Sequence, residues 1–227
     1  MEWNRVTWYS KIIALVLFVA LPFIGFYYGI RYGESIERAA QQPSQSGKDY
    51  YANVAAWQTD RNDAGGFSIA YPLDFNTQDN AQTPSTDWRL SANGTPGIRA
   101  FTLQIPRAFE PQTNFADATL TVGRSGNNAA VKQCTSPDTG AGESSAALTA
   151  TSNGIQFSMF HSSGAGAGNF YETTSYRTLH GGQCYVIEYT VHSTQIMNYP
   201  AEYQLQPFDR ARVLSTLDRI VGTFKFL

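Results

Sequence analysis

The stretch RTLHGGQCYVIEY, residues 177–189, sets His180 four residues before Cys184, in a chain with two cysteines and three histidines. A cysteine nucleophile needs a lowered thiol pKa and an imidazole within hydrogen-bond reach. The segment reads as a hairpin turning at Gly181-Gly182, with His180 opposite Gln183. The His180 side chain then leaves by the face away from Cys184, which shares its face with Leu179 and Val186. This geometry argues against a dyad. The other cysteine, Cys134, lies in a Ser/Pro/Gly loop that can reach the hairpin end. Two cysteines in an extracytoplasmic domain pair by default. A Cys134–Cys184 disulfide is therefore expected, with free structural thiols and catalysis as the alternatives.

The remaining chemistry-bearing residues are scattered. His161 and His192 are expected at one end of a sheet near Glu172, where a His/His/Glu metal site is conceivable. The strand register puts the two histidines on opposite faces, and no HExxH occurs, so neither metal nor cofactor is expected. SSGAGAG, residues 162–168, invites a phosphate-loop reading, but such loops join a strand to a helix N-terminus. Here the next segment, NFYETTSYRT, is strand-like, and a flexible hairpin loop is expected. No G-x-S-x-G occurs. Arg177 and Glu188 are diagonal neighbours on a polar face and are read as a surface ion pair. Asn93-Gly94-Thr95 matches a glycosylation sequon, which a turn explains equally well. TQIMNYPAEYQLQPF, residues 194–208, is an aromatic, Pro-containing connection. Together with the Gly-rich loop it supplies the expected contact surface for a protein partner: Gly164, Gly166, Gly168, Tyr199 and Tyr203.

The elements that must position these residues begin with an address. IIALVLFVALPFIGFYYGI, residues 12–30, carries no charge and is about long enough to cross a ~30 Å hydrocarbon layer. It predicts a transmembrane signal anchor, with residues 1–11 as a cytoplasmic tail and the membrane as a partner through this N-terminal helix. A juxtamembrane helix and polar tether follow over 31–52. An extracytoplasmic domain is expected over 53–227, which makes the chain a single-pass cell-membrane protein. Charged residues are 15% of the chain and its net charge is −2, so electrostatics give no reason to expect nucleic acid.

Within the domain, period-2 alternation recurs. Phe67, Ile69 and Tyr71 share one face, as do Phe101, Leu103 and Ile105, and Ala118, Leu120 and Val122. Asn153-Gly154 marks a two-residue hairpin. Pairing across Gly181-Gly182 sets Tyr176 against Ile187 and Thr174 against Tyr189. A turn at the Gly-rich loop puts Ile155 near Tyr176. One apolar face then collects Ile155, Phe157, Met159, Tyr176, Tyr185, Ile187, Tyr189 and Val191, while Gln156, Ser158, Arg177, Glu188 and Thr190 fall on a solvated face. Val213, Leu214, Leu217, Ile220, Val221 and Phe224 form a helical stripe capped by Asp209 that covers the apolar face. A shorter helix is expected around Asn128–Gln133. The expected fold is α+β: an antiparallel β-sheet covered by a C-terminal helix and preceded by one transmembrane helix.

GFSIAYPLDF (66–75), a meander of strands and the closing helix VLSTLDRIVGTFKF (213–226) resemble the PsbP-like superfamily. The resemblance extends to uncharacterised membrane-anchored bacterial envelope proteins with a GFSI-x-YP opening. It implies a PsbP-like sandwich and, since known members mostly bind other proteins, a role in binding. The reading is a membrane-anchored extracytoplasmic binding or assembly module without catalytic activity. An envelope enzyme with a site assembled from distant residues and a pilin-like subunit are the alternatives.

Overall fold

The computed structural model describes residues 8, 9, 11, 17, 18, 21, 51–78, 84–90, 92, 94–144 and 148–227. The chain divides into two compact units, Met1–Gln45 and Ser46–Leu227. In the first, the six described residues are helical and exposed. Among the described residues no helix is long and apolar enough to cross a membrane. This corrects the expected transmembrane anchor over 12–30, the membrane as a partner and the single-pass localisation. Of that span only Leu17, Phe18 and Leu21 are described, and the rest lies outside the described residues. So does the expected tether apart from Tyr51 and Ala52, and Tyr51 already packs into the core of the second unit.

That unit is mostly antiparallel β-structure. Its strands are β1 (Gln58–Asn62), β2 (Phe67–Tyr71), β3 (Asn76–Gln78), β4 (Ile98–Ile105), β5 (Phe115–Ser125), β6 (Leu148–Ser152), β7 (Ile155–Gly166), β8 (Asn169–His180), β9 (Gln183–Thr194) and β10 (Lys225–Phe226). Two α-helices join them, α1 (Asn128–Gln133) and α2 (Arg210–Gly222). A seven-stranded sheet runs β3-β4-β5-β9-β8-β7-β6, and a three-stranded sheet runs β1-β2-β10.

Three two-residue turns build the long β6-β7-β8-β9 meander. Asn153-Gly154, Ala167-Gly168 and Gly181-Gly182 all have positive φ at both positions, the geometry whose twist matches the flanking strands. The β8–β9 register pairs His180 with Gln183, Tyr176 with Ile187 and Thr174 with Tyr189.

The larger core lies on one face of the big sheet. Phe101, Leu103, Leu120, Phe157, Ile187, Tyr189 and Val191 meet Phe67 and Ile69 of the small sheet and Val213, Leu217, Ile220 and Val221 of α2. The Asp209 carboxylate caps α2 by accepting from the Arg212 amide at 3.0 Å. At the other helix end, the Asn153 side-chain amide donates to the Gly222 carbonyl (2.7 Å), which the helix leaves open, and to the Phe224 carbonyl just beyond it (2.9 Å).

The second face is also covered, and here the expected α+β sandwich, with one covered face and one solvated face, is corrected. Trp88, Ala92, Ala130, Cys134, Cys184 and Val186 form a second core. Trp88 lies so close to β5 that a Cβ at Gly123 would sit 2.0 Å from the Trp88 carbonyl oxygen. The cover comes from irregular segments and the short α1, so no periodic pattern announces it. The result is a predominantly β unit with both faces of its large sheet packed, not a PsbP-like sandwich with helix as its cover.

Candidate functional site

Cys184 is bonded to Cys134, 50 residues away, and no free cysteine remains. Cys134 caps the C-terminus of α1 and Cys184 is the second residue of β9, so the bridge ties the cover of the second face to the sheet. His180 leaves on the opposite face and stacks on Phe226 with ring centroids 3.7 Å apart. With its sulfur in a disulfide, Cys184 is a staple.

The supposed surface pair Arg177–Glu188 is a correction. The Arg177 side chain is 0% exposed, and its ion-pair partner is Glu143. Its Nε donates to Ser175 Oγ at 3.0 Å, Nη1 donates to the Ser136 carbonyl at 3.2 Å, and the guanidinium lies 4.7 Å from the centre of the Phe160 ring. Glu188, also buried, accepts the Leu90 amide at 2.6 Å. Burial pushes the Glu188 carboxyl above its ordinary range, against the Leu90 hydrogen bond and the nearby Arg177. Arg89 completes the cluster; among the described residues its buried Nε and Nη1 make no hydrogen bond. This network fastens the 84–92 and 134–144 segments to the sheet.

A groove of about 750 Å³ opens on the other face, between the far ends of β7 and β8 and the first turns of α2. Its floor holds Tyr176 and Tyr189, whose hydroxyls donate to the same Asp218 Oδ1 at 2.8 and 2.7 Å. Burial raises the pKa of both phenols, so both remain protonated donors at neutral pH. Arg210 pairs with Glu172 at the rim, at 2.6 Å. His161 Nδ1 lies 3.0 Å from Thr174 Oγ1. His192 faces the other way, between Asp117 and Asn169 and stacked on Tyr171. Among the described residues no group of three His, Cys, Asp or Glu side chains could hold a metal.

The sequence left this groove unread. One signal was available: Arg210, Leu214 and Asp218 recur every four residues, which puts all three on one flank of α2. Two buried tyrosines on an otherwise apolar face also call for partners for their hydroxyls.

Of the residues expected to form a contact surface, Gly168 meets the chain that leaves β9. The flexible loop expected over 162–168 is not a loop. Ser162–Gly166 belong to β7 and pair with Asn169–Thr173, and only Ala167-Gly168 turns. The Gly168 carbonyl accepts the Gln195 amide at 2.8 Å, so the hairpin end rests on the chain leaving β9. A Cβ at Gly168 would sit 2.0 Å from Asn198 Nδ2, whereas Gly164 and Gly166 face open space. Tyr199 closes the short 3₁₀ turn Ile196–Asn198 and is half-buried, and Tyr203 ends the next one and is 62% exposed. Phe170, Tyr171 and Met197 are exposed at the same end, Met197 by 87%. Asn93 of the sequon lies outside the described residues, and Thr95 closes a turn by donating to the Ala92 carbonyl.

No protein-family model matches this chain, and no curated protein matches it. Among solved structures, a crystal structure of a protein from Bacteroides thetaiotaomicron is similar at 12% identity and a TM-score of 0.35. The match covers 71% of this chain and 45% of that one, so the chain spans under half the length of that protein. A likeness at that score fixes neither fold nor function. Nothing in these comparisons links the chain to the PsbP-like superfamily.

Proposed function

We propose that the Ser46–Leu227 unit is a non-catalytic binding or assembly module that receives a partner protein at the far end of the β7-β8-β9 ribbon. The observation that carries this reading is the junction of Gly168 with Gln195. It fixes the Gly-rich hairpin against the start of the connection after β9, at Gln195 and Asn198, and leaves Phe170 and Met197 exposed at that end of the sheet. Exposed apolar side chains gathered on one surface favour association. The ordered β-scaffold behind them is the kind of support on which loops carry recognition. The Cys134–Cys184 bridge supports residence in an oxidising compartment, where disulfides persist.

The test is the size of the native assembly. Extracts of cells making wild type, M197D/Y203D or the distant control L148D would be compared by size-exclusion chromatography. Wild type and L148D elute in a complex larger than the 25.0 kDa chain, and M197D/Y203D elutes as the free chain with its melting temperature unchanged. Identical elution of all three overturns the reading.

A further inference from the structure

Arg89 is a buried cation whose charge is left over. The residue is 7% exposed. Among the described residues its Nε and Nη1 make no hydrogen bond, and no carboxylate forms an ion pair with it. The Trp88 ring, with its centre 5.3 Å from the guanidinium carbon, supports it from one side. Buried charges in native proteins are paired and hydrogen-bonded, because their desolvation is otherwise uncompensated. Burial first and the neighbouring Arg177 second lower the Arg89 pKa, and the acids Glu188, Asp138 and Glu143 offset them only in part. A guanidinium still stays charged at neutral pH.

Those acids are engaged elsewhere. Glu143 pairs with Arg177 and accepts the Asp138 amide at 2.6 Å. Asp138 Oδ1 accepts the Gly140 amide at 3.0 Å and the Ala141 amide at 3.3 Å. Glu188 accepts the Leu90 amide, and burial pushes it toward its neutral form. Of the two buried arginines, Arg177 and Arg89, only Arg177 has a carboxylate in contact among the described residues.

A cavity of about 350 Å³ opens beside Arg89, lined also by Gln133, Ser136, Pro137, Asp138 and Thr139. Gln133 ends α1 and Thr139 begins a short 3₁₀ turn, so the Cys134–Cys184 bridge holds this rim to the sheet. The lining offers the Gln133 amide and the Ser136 and Thr139 hydroxyls. Among the described residues none of the three has a side-chain hydrogen bond.

We propose that this cavity binds a small oxyanion, the phosphate, sulfate or carboxylate group of a ligand, between the Arg89 guanidinium and the Gln133, Ser136 and Thr139 side chains. The guanidinium charge is spread over three nitrogens, so an anion that meets any of its N–H groups balances it. Charge-assisted hydrogen bonds of this kind are the strong ones. The hydroxyls and the amide supply the neutral donors that complete an oxyanion's shell. The volume lies at the small end of ligand sites, which run from about 300 to 1,000 Å³. This site is on the second face of the sheet, and the inference does not depend on the partner reading above.

The test uses the full-length chain labelled with ¹⁵N, at pH 7. It is titrated with inorganic phosphate, with acetate and, at matched ionic strength, with chloride. Binding is read from the Arg89 Nε–H resonance, identified by its loss in R89M, and from the Ser136 and Thr139 amides. Phosphate, acetate or both shift all three signals saturably, and chloride does not. The tighter of the two names the head group as phosphate-like or carboxylate. R89M abolishes the shifts at Ser136 and Thr139. S136A/T139V weakens binding by about tenfold, the loss of two hydrogen bonds. No saturable shift with either oxyanion, the same shift with chloride, or unchanged affinity in R89M overturns the inference. R89M removes a buried unpaired charge; should it fail to fold, S136A/T139V decides, and unchanged affinity there overturns the inference.

Discussion

The Gly168 carbonyl accepts the Gln195 amide at 2.8 Å. This one bond fixes the end of the β7-β8 hairpin to the segment that follows β9. It works because Gly168 has no side chain: its φ is +78° and a Cβ there would meet Asn198 at 2.0 Å. G168A is therefore expected to cost about 1–2 kcal/mol, from the strained left-handed backbone together with the clash. G164A and G166A, facing open space, should stay within about 0.5 kcal/mol of wild type. Urea unfolding of the three variants checks the contrast; equal losses at all three positions would contradict it.

The disulfide should matter for stability and not for chemistry. It closes a loop with a sequence separation of 50, and its removal in C134A/C184A is expected to cost about 2–4 kcal/mol. Denaturant unfolding with and without reductant measures this. The double variant should show no loss under reducing conditions relative to reduced wild type beyond that of ordinary core truncation.

Arg177 and Glu143 are a buried pair, with side chains 0% and 5% exposed. E143A strands a buried guanidinium and should cost about 3–5 kcal/mol. The double change R177M/E143L removes both charges and should cost less than E143A alone. A double variant as unstable as the single would show that the charges stabilise the fold on balance.

Glu188 gives a pH signature. Burial raises its folded pKa above the unfolded value, so the folded state holds the proton more tightly. The stability this contributes is complete below the unfolded pKa and is lost as pH rises through the folded one. E188Q keeps an acceptor for the Leu90 amide but does not titrate. Its stability relative to wild type should rise as pH climbs above the ordinary glutamate range and should level off once Glu188 is ionised in the folded state. A wild-type-minus-variant difference that does not change with pH would remove burial as the dominant influence on Glu188.

Much of the meander was legible because alternation encodes faces. The β8-β9 pairings of Tyr176 with Ile187 and Thr174 with Tyr189 follow from the Gly181-Gly182 turn. The β7-β8 register slips by four from expectation: Met159, not Ile155, faces Tyr176. Ser, Gly and Ala at 162–166 carry no side-chain signal, so strand was taken for loop. A slip of four is even, so each side chain keeps its face. The second face misled for a different reason. Arg177 and Glu188 read as polar and solvated, yet both are buried, Arg177 against Ser136 and Glu143 and Glu188 against the Leu90 amide. That cover is a long-range, aperiodic contact, and no local pattern records it. The groove was missed because its parts come from β7, β8, β9 and α2, and only the fold brings Tyr176, Tyr189 and Asp218 together.

The central claim, that the end of the β7-β8-β9 ribbon receives a partner protein, is tested most directly by site-specific photo-crosslinking in the cells that make the chain. A photoreactive residue would be placed at Ala165, at Met197 and, as a control on the opposite edge of the sheet, at Thr77. The account predicts one discrete adduct of the same mass from positions 165 and 197 and none from 77. No adduct from 165 and 197, or equal adducts from all three positions, would contradict it.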